Sequence, residues 1–286
     1  MDELGLMCVH AHPDDECIGT GGVLLRAADE GIRTAVVTCT GGERGEIHNM
    51  DEASIRPRLA EVRREELRAS LDVLGAGEPR LLGYVDSGMM GTEGNADPAS
   101  FWQASIDEAI GRLVAQIRQF RPDVLVAYDA FGGYGHPDHI QTHRVGVLAA
   151  EACAVPALYP EAGPAWRVRK VYLATLPKSA IFRAVTLLTQ QGLPSPFPVV
   201  DRVEDVPLGA PDSELGAVVD VRSVIDRKLE ALHKHQSQLD PSSFFLNVPE
   251  EFNDEAFGTE WFIRHRSDVP ADGVEDDLFA GLRRRD

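Results

Sequence analysis

Over residues 1–155, short apolar runs alternate with longer amphipathic ones. Residues 4–9 are nearly all apolar, the pattern of a strand buried on both faces. Residues 33–39 (Arg-Thr-Ala-Val-Val-Thr-Cys) and 124–128 repeat that pattern, and 80–83 give a shorter version. Between these runs lie helical spacings. Residues 19–30 place Val23, Leu24, Ala27 and Ala28 on one side; 54–74 is laced with Glu and Arg and closed by Gly75; 105–119 and 138–152 complete the set. Strand and helix in alternation predict an α/β fold: a mostly parallel, Rossmann-like sheet flanked by helices. Further on, the pattern predicts a strand over 171–176, a helix over 179–190, a late strand over 217–221, and a helix capped by Ser223 that runs to about residue 238. The Gly- and Met-rich stretch 86–98 reads as a loop over the sheet edge, and 191–211, rich in Pro, Gly and Asp, as an irregular excursion or flap.

The 286 residues fit a single α/β domain with insertions. Its expected parts are a core over 1–155, a C-terminal completion and substrate-facing rim over 156–267, and a highly charged, partly disordered tail over 268–286. The 43% of hydrophobic residues can bury a sizeable core. A net charge of -18, from 28 basic against 46 acidic residues, argues against nucleic acid and against anionic membrane surfaces as partners. The four cysteines, Cys8, Cys17, Cys39 and Cys153, show no CxxC spacing, and Cys8 and Cys39 fall inside expected strands as small core hydrophobes. No basic leader followed by an apolar stretch opens the chain, and no run of 18 apolar residues occurs, so a cytoplasmic protein with reduced thiols is expected. A homo-oligomer is compatible with this composition.

The candidate chemistry sits in two turns. His12-Pro13-Asp14-Asp15-Glu16 directly follows the first apolar run, where open α/β sheets build their sites. Pro13 argues against the middle of a strand or helix. An imidazole and a carboxylate in such a turn can converge on a divalent cation, leaving the second carboxylate to act on water; the plainer alternative is a helix start capped by acids. The second turn, Gly132-Gly133-Tyr134-Gly135-His136-Pro137-Asp138-His139, repeats that chemistry after the run 124–128. Neighbouring strands would bring the two turns side by side, and His12, an Asp of the first turn and one histidine of the second make a three-ligand set of the catalytic type. The residues alone allow either Asp14 or Asp15 to ligate. A nucleotide- or sugar-binding module, with Gly19, Gly21 and Gly22 as a phosphate turn, is the competing class, and it is a poor one because phosphate would face carboxylates.

These two motifs resemble those of the PIG-L/LmbE-like family of zinc-dependent N-deacetylases, over most of residues 4–150 and more loosely over 217–247. Within the family the chain resembles the bacterial branch of N-acetylglucosaminyl-inositol deacetylases and mycothiol S-conjugate amidases. The resemblance implies zinc, one ion per chain, held by His12, Asp15 and His139, with Asp14 as general base; the mixed donor set also accepts ferrous iron. It implies hydrolysis of an N-acetyl amide on a small amino-sugar conjugate. Tyr134 matches the position of a second oxyanion donor beside the metal; a buried aromatic with a backbone-bonded hydroxyl is the alternative. His136, held by Asp138, stabilises the oxyanion or protonates the leaving amine, a proton that Asp14 could equally deliver; Asp138 also suits a helix cap. Arg63 and Asp86 match positions that contact inositol and glucosamine, with a surface ion pair and a turn as their alternatives, and Glu46 reaches in from the second loop.

Other residues carry smaller expectations. His143 and His10 read as supporting or core histidines, Cys17 as a neighbour of the site that does not ligate, and His233 and His235 as structural or rim residues. His235-Gln236-Ser237-Gln238 resembles a recurring family feature. The amidase branch carries a lysine shortly after its first motif, where this chain has Gly19, Thr20 and Gly21. Gly42-Glu43-Arg44-Gly45-Glu46-Ile47 is closer to the amidase, while Asp86-Ser87-Gly88-Met89 leans to the deacetylase. A sugar- or antibiotic-pathway deacetylase shares the same core.

Overall fold

The computed structural model describes residues 3–190, 192, 195, 197–241, 248 and 252–283. In chain order its main elements are β1 (Gly5–His10), α1 (Asp15–Gly19), α2 (Gly21–Asp29), β2 (Arg33–Thr40), α3 (Glu52–Ile55), α4 (Leu59–Leu74), β3 (Arg80–Tyr84), α5 (Ile106–Phe120), β4 (Val124–Tyr128), α6 (Pro137–Ala152), β5 (Lys170–Thr175), α7 (Lys178–Gln190), β6 (Ala217–Asp220), α8 (Ile225–Leu232) and β7 (Thr259–Ser267). The sheet has seven strands in the order β3-β2-β1-β4-β5-β7-β6. The pairs from β3 through β5 are parallel, whereas β7 runs antiparallel to both β5 and β6. The expected α/β sheet is therefore present, with a mixed C-terminal edge.

Alternation along β1 explains why this strand is apolar throughout. Leu6 and Cys8 face the layer that holds Leu24, Leu67, Leu71 and Leu232, while Met7 and Val9 face the layer of Leu113, Val114 and Val145. Each such side chain, removed from water, contributes roughly 1.5–3 kcal/mol before the entropy of ordering it is subtracted. Because β1 pairs with β2 on one side and β4 on the other, the chain reverses its winding between β1 and β4. A crevice opens beyond the carboxyl ends of strands at such a point. Both candidate turns leave from there.

The helix expected over 19–30 is present as α2, and a short helix that was not expected, α1, precedes it across Thr20. Three expectations change. Ser223 lies inside the 3-10 turn Arg222–Val224 rather than capping a long helix, and α8 ends at Leu232, with a separate turn at Gln236–Gln238. Strand β7 was not expected: only Glu260, Phe262 and their neighbours show alternating burial, and Arg264, His265 and Arg266 mask the pattern. The tail is ordered through residue 283, because Leu278, Phe279 and Leu282 enter the same apolar layer as Leu6 and Glu275 anchors to the sheet. There Lys170 Nζ donates to Glu275 Oε1 at 2.7 Å and the Tyr172 hydroxyl donates to its other oxygen. Residues 284–286 of the tail, and several within 191–211, lie outside the described residues. Around the excursion, α7 packs on Val206 through Ile181 and Val185. Among the described residues no helix is long and apolar enough to cross a membrane.

Candidate metal centre and active site

The first turn is folded by its own acids. The His12 amide donates to Asp15 Oδ2 at 2.8 Å, which draws that carboxylate back over the end of β1 and starts α1. Between them Asp14 adopts φ 107°, ψ -31°, a conformation that costs a non-glycine residue on the order of 1–3 kcal/mol. The second turn hangs on Asp129, whose Oδ1 accepts the Phe131 and Gly133 amides, each at 3.0 Å, while Thr175 donates to Oδ2 at 2.6 Å. Gly132 is required here: its φ is 65°, and a Cβ would lie 2.4 Å from that of His139. Pro137 opens α6, where a missing N–H does no harm. His136 caps the helix by accepting the Asp138 amide on Nδ1 at 3.2 Å.

These turns bring three donors together. His12 Nδ1 and His139 Nε2 are 3.3 Å apart, His12 Nδ1 and Asp15 Oδ2 3.6 Å, and His139 Nε2 and Asp15 Oδ1 3.5 Å. Zinc bonds to N and O of about 2.0–2.2 Å in tetrahedral geometry put neighbouring ligands roughly 3.3–3.6 Å apart. The trio thus has the composition and spacing of a metal centre. His136 lies close as well, its ring centroid 4.6 Å from that of His12. The other nitrogen of His12, Nε2, is 3.2 Å from Asp138 Oδ2. Asp138 in turn accepts the Ser87 amide at 2.8 Å and the Ser87 hydroxyl. A carboxylate behind a ligand imidazole fixes its tautomer and raises its basicity. The expectation that Asp138 holds His136 is corrected accordingly: its carboxylate bonds to His12 and Ser87, and only its amide meets His136. His139 is backed by Tyr128, stacked at 4.4 Å and 14°.

At His139 and Asp15 the charge suits a cation. Burial lowers the His139 pKa to about 4, helped by His12 and His136 and opposed by Asp15, so the ring is neutral and its lone pair free. Burial works against ionisation of Asp15, yet His139 and His12 hold its carboxyl well below the usual range. For His12, burial is outweighed by Asp138 and Asp15, which raise it. Asp14 sits outside the trio; burial raises it to about 6, with Arg63 opposing and Asp15 adding to the rise. The Tyr134 hydroxyl is 3.4 Å from His139 Nε2, and desolvation with the nearby Asp15 and Asp14 pushes it above the ordinary phenol range, so it remains a proton donor.

Asp86 is buried at the edge of the cluster, its Oδ1 3.8 Å from His12 Nε2, and it also makes the expected turn by accepting the Gly88 amide at 2.7 Å. Arg63 is 3% exposed, so the alternative of a surface ion pair does not hold. Its guanidinium donates to Pro13 O, to Gly42 O at 2.9 Å and to Asp14 Oδ2 at 3.1 Å, so it braces the first turn instead of facing solvent. Glu46 is exposed and pairs with His48 at 3.4 Å. Glu43, to which the sequence assigned no role, reaches across to accept the Asp86 amide at 2.9 Å. His143 Nδ1 bonds Tyr128 O at 2.9 Å, and His10 bonds Tyr128 and Thr20; both are supporting residues. Tyr128 itself ends an apolar run and carried no signal of its position beneath the site. Cys17 is buried against Glu16 and Ser70, outside the trio.

Comparison with known proteins identifies the family. The family described as "PIG-L: GlcNAc-PI de-N-acetylase" matches residues 7–150. A Geodermatophilus obscurus protein named 1D-myo-inositol 2-acetamido-2-deoxy-alpha-D-glucopyranoside deacetylase is 43% identical, over 97% of each chain. Among solved structures, N,N'-diacetylchitobiose deacetylase from Pyrococcus horikoshii superposes with a TM-score of 0.64 at 22% identity, covering 91% of this chain and 83% of that one. The 4-carboxy-2-hydroxymuconate hydratase of Pseudomonas putida KT2440 does so at 0.62 and 19%, covering 94% and 99%, so the fold by itself does not dictate amide cleavage. With both motifs converging on one cluster and the match running the length of the chain, this protein belongs to the PIG-L family of de-N-acetylases.

Proposed function

We propose that the chain removes the acetyl group from N-acetylglucosamine joined to inositol, using one zinc ion held by His12 Nδ1, Asp15 and His139 Nε2. The observation that carries this reading is that His12 Nδ1 and His139 Nε2 lie 3.3 Å apart, with one Asp15 carboxylate oxygen 3.6 Å from the first and the other 3.5 Å from the second. The inositol conjugate is favoured by the name of the Geodermatophilus relative. When bound, zinc acidifies a water and polarises the amide carbonyl.

Asp14, a carboxylate beside the trio and not of it, takes the proton of the attacking water. His136 accepts the Asp138 amide on Nδ1, which leaves the proton of the neutral ring on Nε2. That N–H and the Tyr134 hydroxyl are the two donors for the developing oxyanion. With His136 so occupied, Asp14 returns its proton to the departing amine, which cannot leave as an anion. Asp138 keeps His12 oriented, and Asp86 at the cluster edge accepts from sugar hydroxyls. Arg63 positions Asp14. No S-conjugate amidase activity is assigned.

The test is metal analysis of the purified protein together with acetate release from N-acetylglucosaminyl-inositol. One zinc per chain and a kcat/KM on this substrate well above that on a bulky mycothiol S-conjugate are expected. A metal-loaded protein that releases no acetate, or that prefers the thiol conjugate, overturns the assignment.

A further inference from the structure

Below the first turn lies a fully buried carboxylate that the chemistry above does not use. Glu16 is 0% exposed and holds two sets of contacts. Its Oε2 accepts the backbone amide of Asp14 at 2.9 Å. Its Oε1 accepts from Ser70 Oγ at 2.6 Å, His235 Nε2 at 2.7 Å and Cys17 Sγ at 3.2 Å. Ser70 belongs to α4, and His235 follows α8, 219 residues further along the chain than Glu16. A buried carboxylate persists only when paired and hydrogen-bonded, and His235, itself 0% exposed, supplies the pairing.

The Asp14 amide is the group that must be held, because Asp14 alone in this turn has a positive φ. A non-glycine residue stays in such a conformation only when its surroundings over-determine it. We infer that Glu16, locked by His235 and Ser70, is a positioning element that holds the Asp14 backbone in its left-handed conformation and so aims the Asp14 carboxylate at the attacking water. His235 and Ser70 thereby act on the reaction through Asp14, without touching substrate or metal ligands. The inference rests on Asp14 as base.

The experiment compares Glu16→Gln, Ser70→Ala and His235→Asn in the zinc-loaded full chain, each alone and each with Asp14→Asn. The single variants are expected to lower kcat by about 10–100-fold, since a displacement of about 1 Å can cost a factor of 10². KM should stay within about threefold and zinc content at one per chain. On the Asp14→Asn background the same changes should have little further effect, because groups acting as a unit are strongly non-additive. A folded, zinc-loaded Ser70→Ala or His235→Asn with unchanged kcat overturns the inference. So does an equal loss in the presence and absence of Asp14. Should Glu16→Gln not fold, the other two carry the test. Full activity of Asp14→Asn would refute the base assignment itself, a separate outcome.

Discussion

The Asp138 carboxylate lies 3.2 Å from Nε2 of His12, so the second turn braces a donor of the first as well as supplying its own. Asp138 is the residue immediately before His139, and the carboxylate and the imidazole therefore leave the helix start in different directions. One faces the back of His12 and the other its front.

Asp138→Ala removes this brace while leaving all three donors in place. Loss of such a partner usually weakens metal binding by about 10–100-fold. Titration with a competing chelator should show that weakening, with stoichiometry at saturating zinc unchanged. An affinity equal to that of the parent protein would count against the role.

Gly132→Ala tests the turn. The added methyl meets the Cβ and backbone of His139 at a position whose φ already disfavours it. Zinc content after gel filtration at low free zinc should fall, and activity with it. The same substitution at Gly133, where a Cβ meets nothing within 4 Å but φ is 74°, carries only the backbone penalty and should retain most of the zinc.

Phe279→Ala tests the tail. Phe279 is 3% exposed within the layer shared with Leu24 and Leu278, so its truncation should cost about 3–5 kcal/mol of unfolding free energy. Denaturant titration measures this. A change below 1 kcal/mol would mean the tail is docked too loosely to support the sheet.

Stability should also depend on Glu275. Burial alone would raise its pKa, but hydrogen bonds from Lys170, Tyr172 and Arg264 hold it below the usual value of 4.5. A carboxylate depressed in the folded state stabilises it fully above the unfolded pKa, and that contribution is lost as pH falls through the folded pKa. The drop in unfolding free energy between pH 6 and the acid side of 4.5 should therefore be smaller in Glu275→Gln than in the parent. Equal drops would show that the pairing contributes nothing net.

The sequence made β1, β2 and β4 legible because strands buried on both faces leave unbroken apolar runs, and their turns legible because each gathers several ligand-type residues. The turns narrowed the donors to His12, Asp14 or Asp15 and a histidine of the second turn; the choice of Asp15 and His139 came from the family resemblance. The partners behind them could not be named, since Ser87, Tyr128 and Glu43 are ordinary residues until the chain folds. Arg63 illustrates the limit of motif reasoning: the resemblance offered a sugar contact and the sequence a surface ion pair, whereas the buried guanidinium donates to three oxygens of the first two loops. Strand β7 escaped because its outward arginines pair with carboxylates elsewhere in the chain, Arg264 with Glu275 and Arg266 with Glu151, and so look like loop residues. The tail escaped for a similar reason, its three apolar anchors being outnumbered by charge.

The winding reversal between β1 and β4 has a consequence for biogenesis. The two imidazoles are 127 residues apart, and β4 must dock alongside β1 before they can meet. A ribosome-bound chain that has exposed only its first hundred residues therefore offers the ion a half-built cradle. Residues 12 and 139 therefore come together only once the parallel half of the sheet is zipped shut.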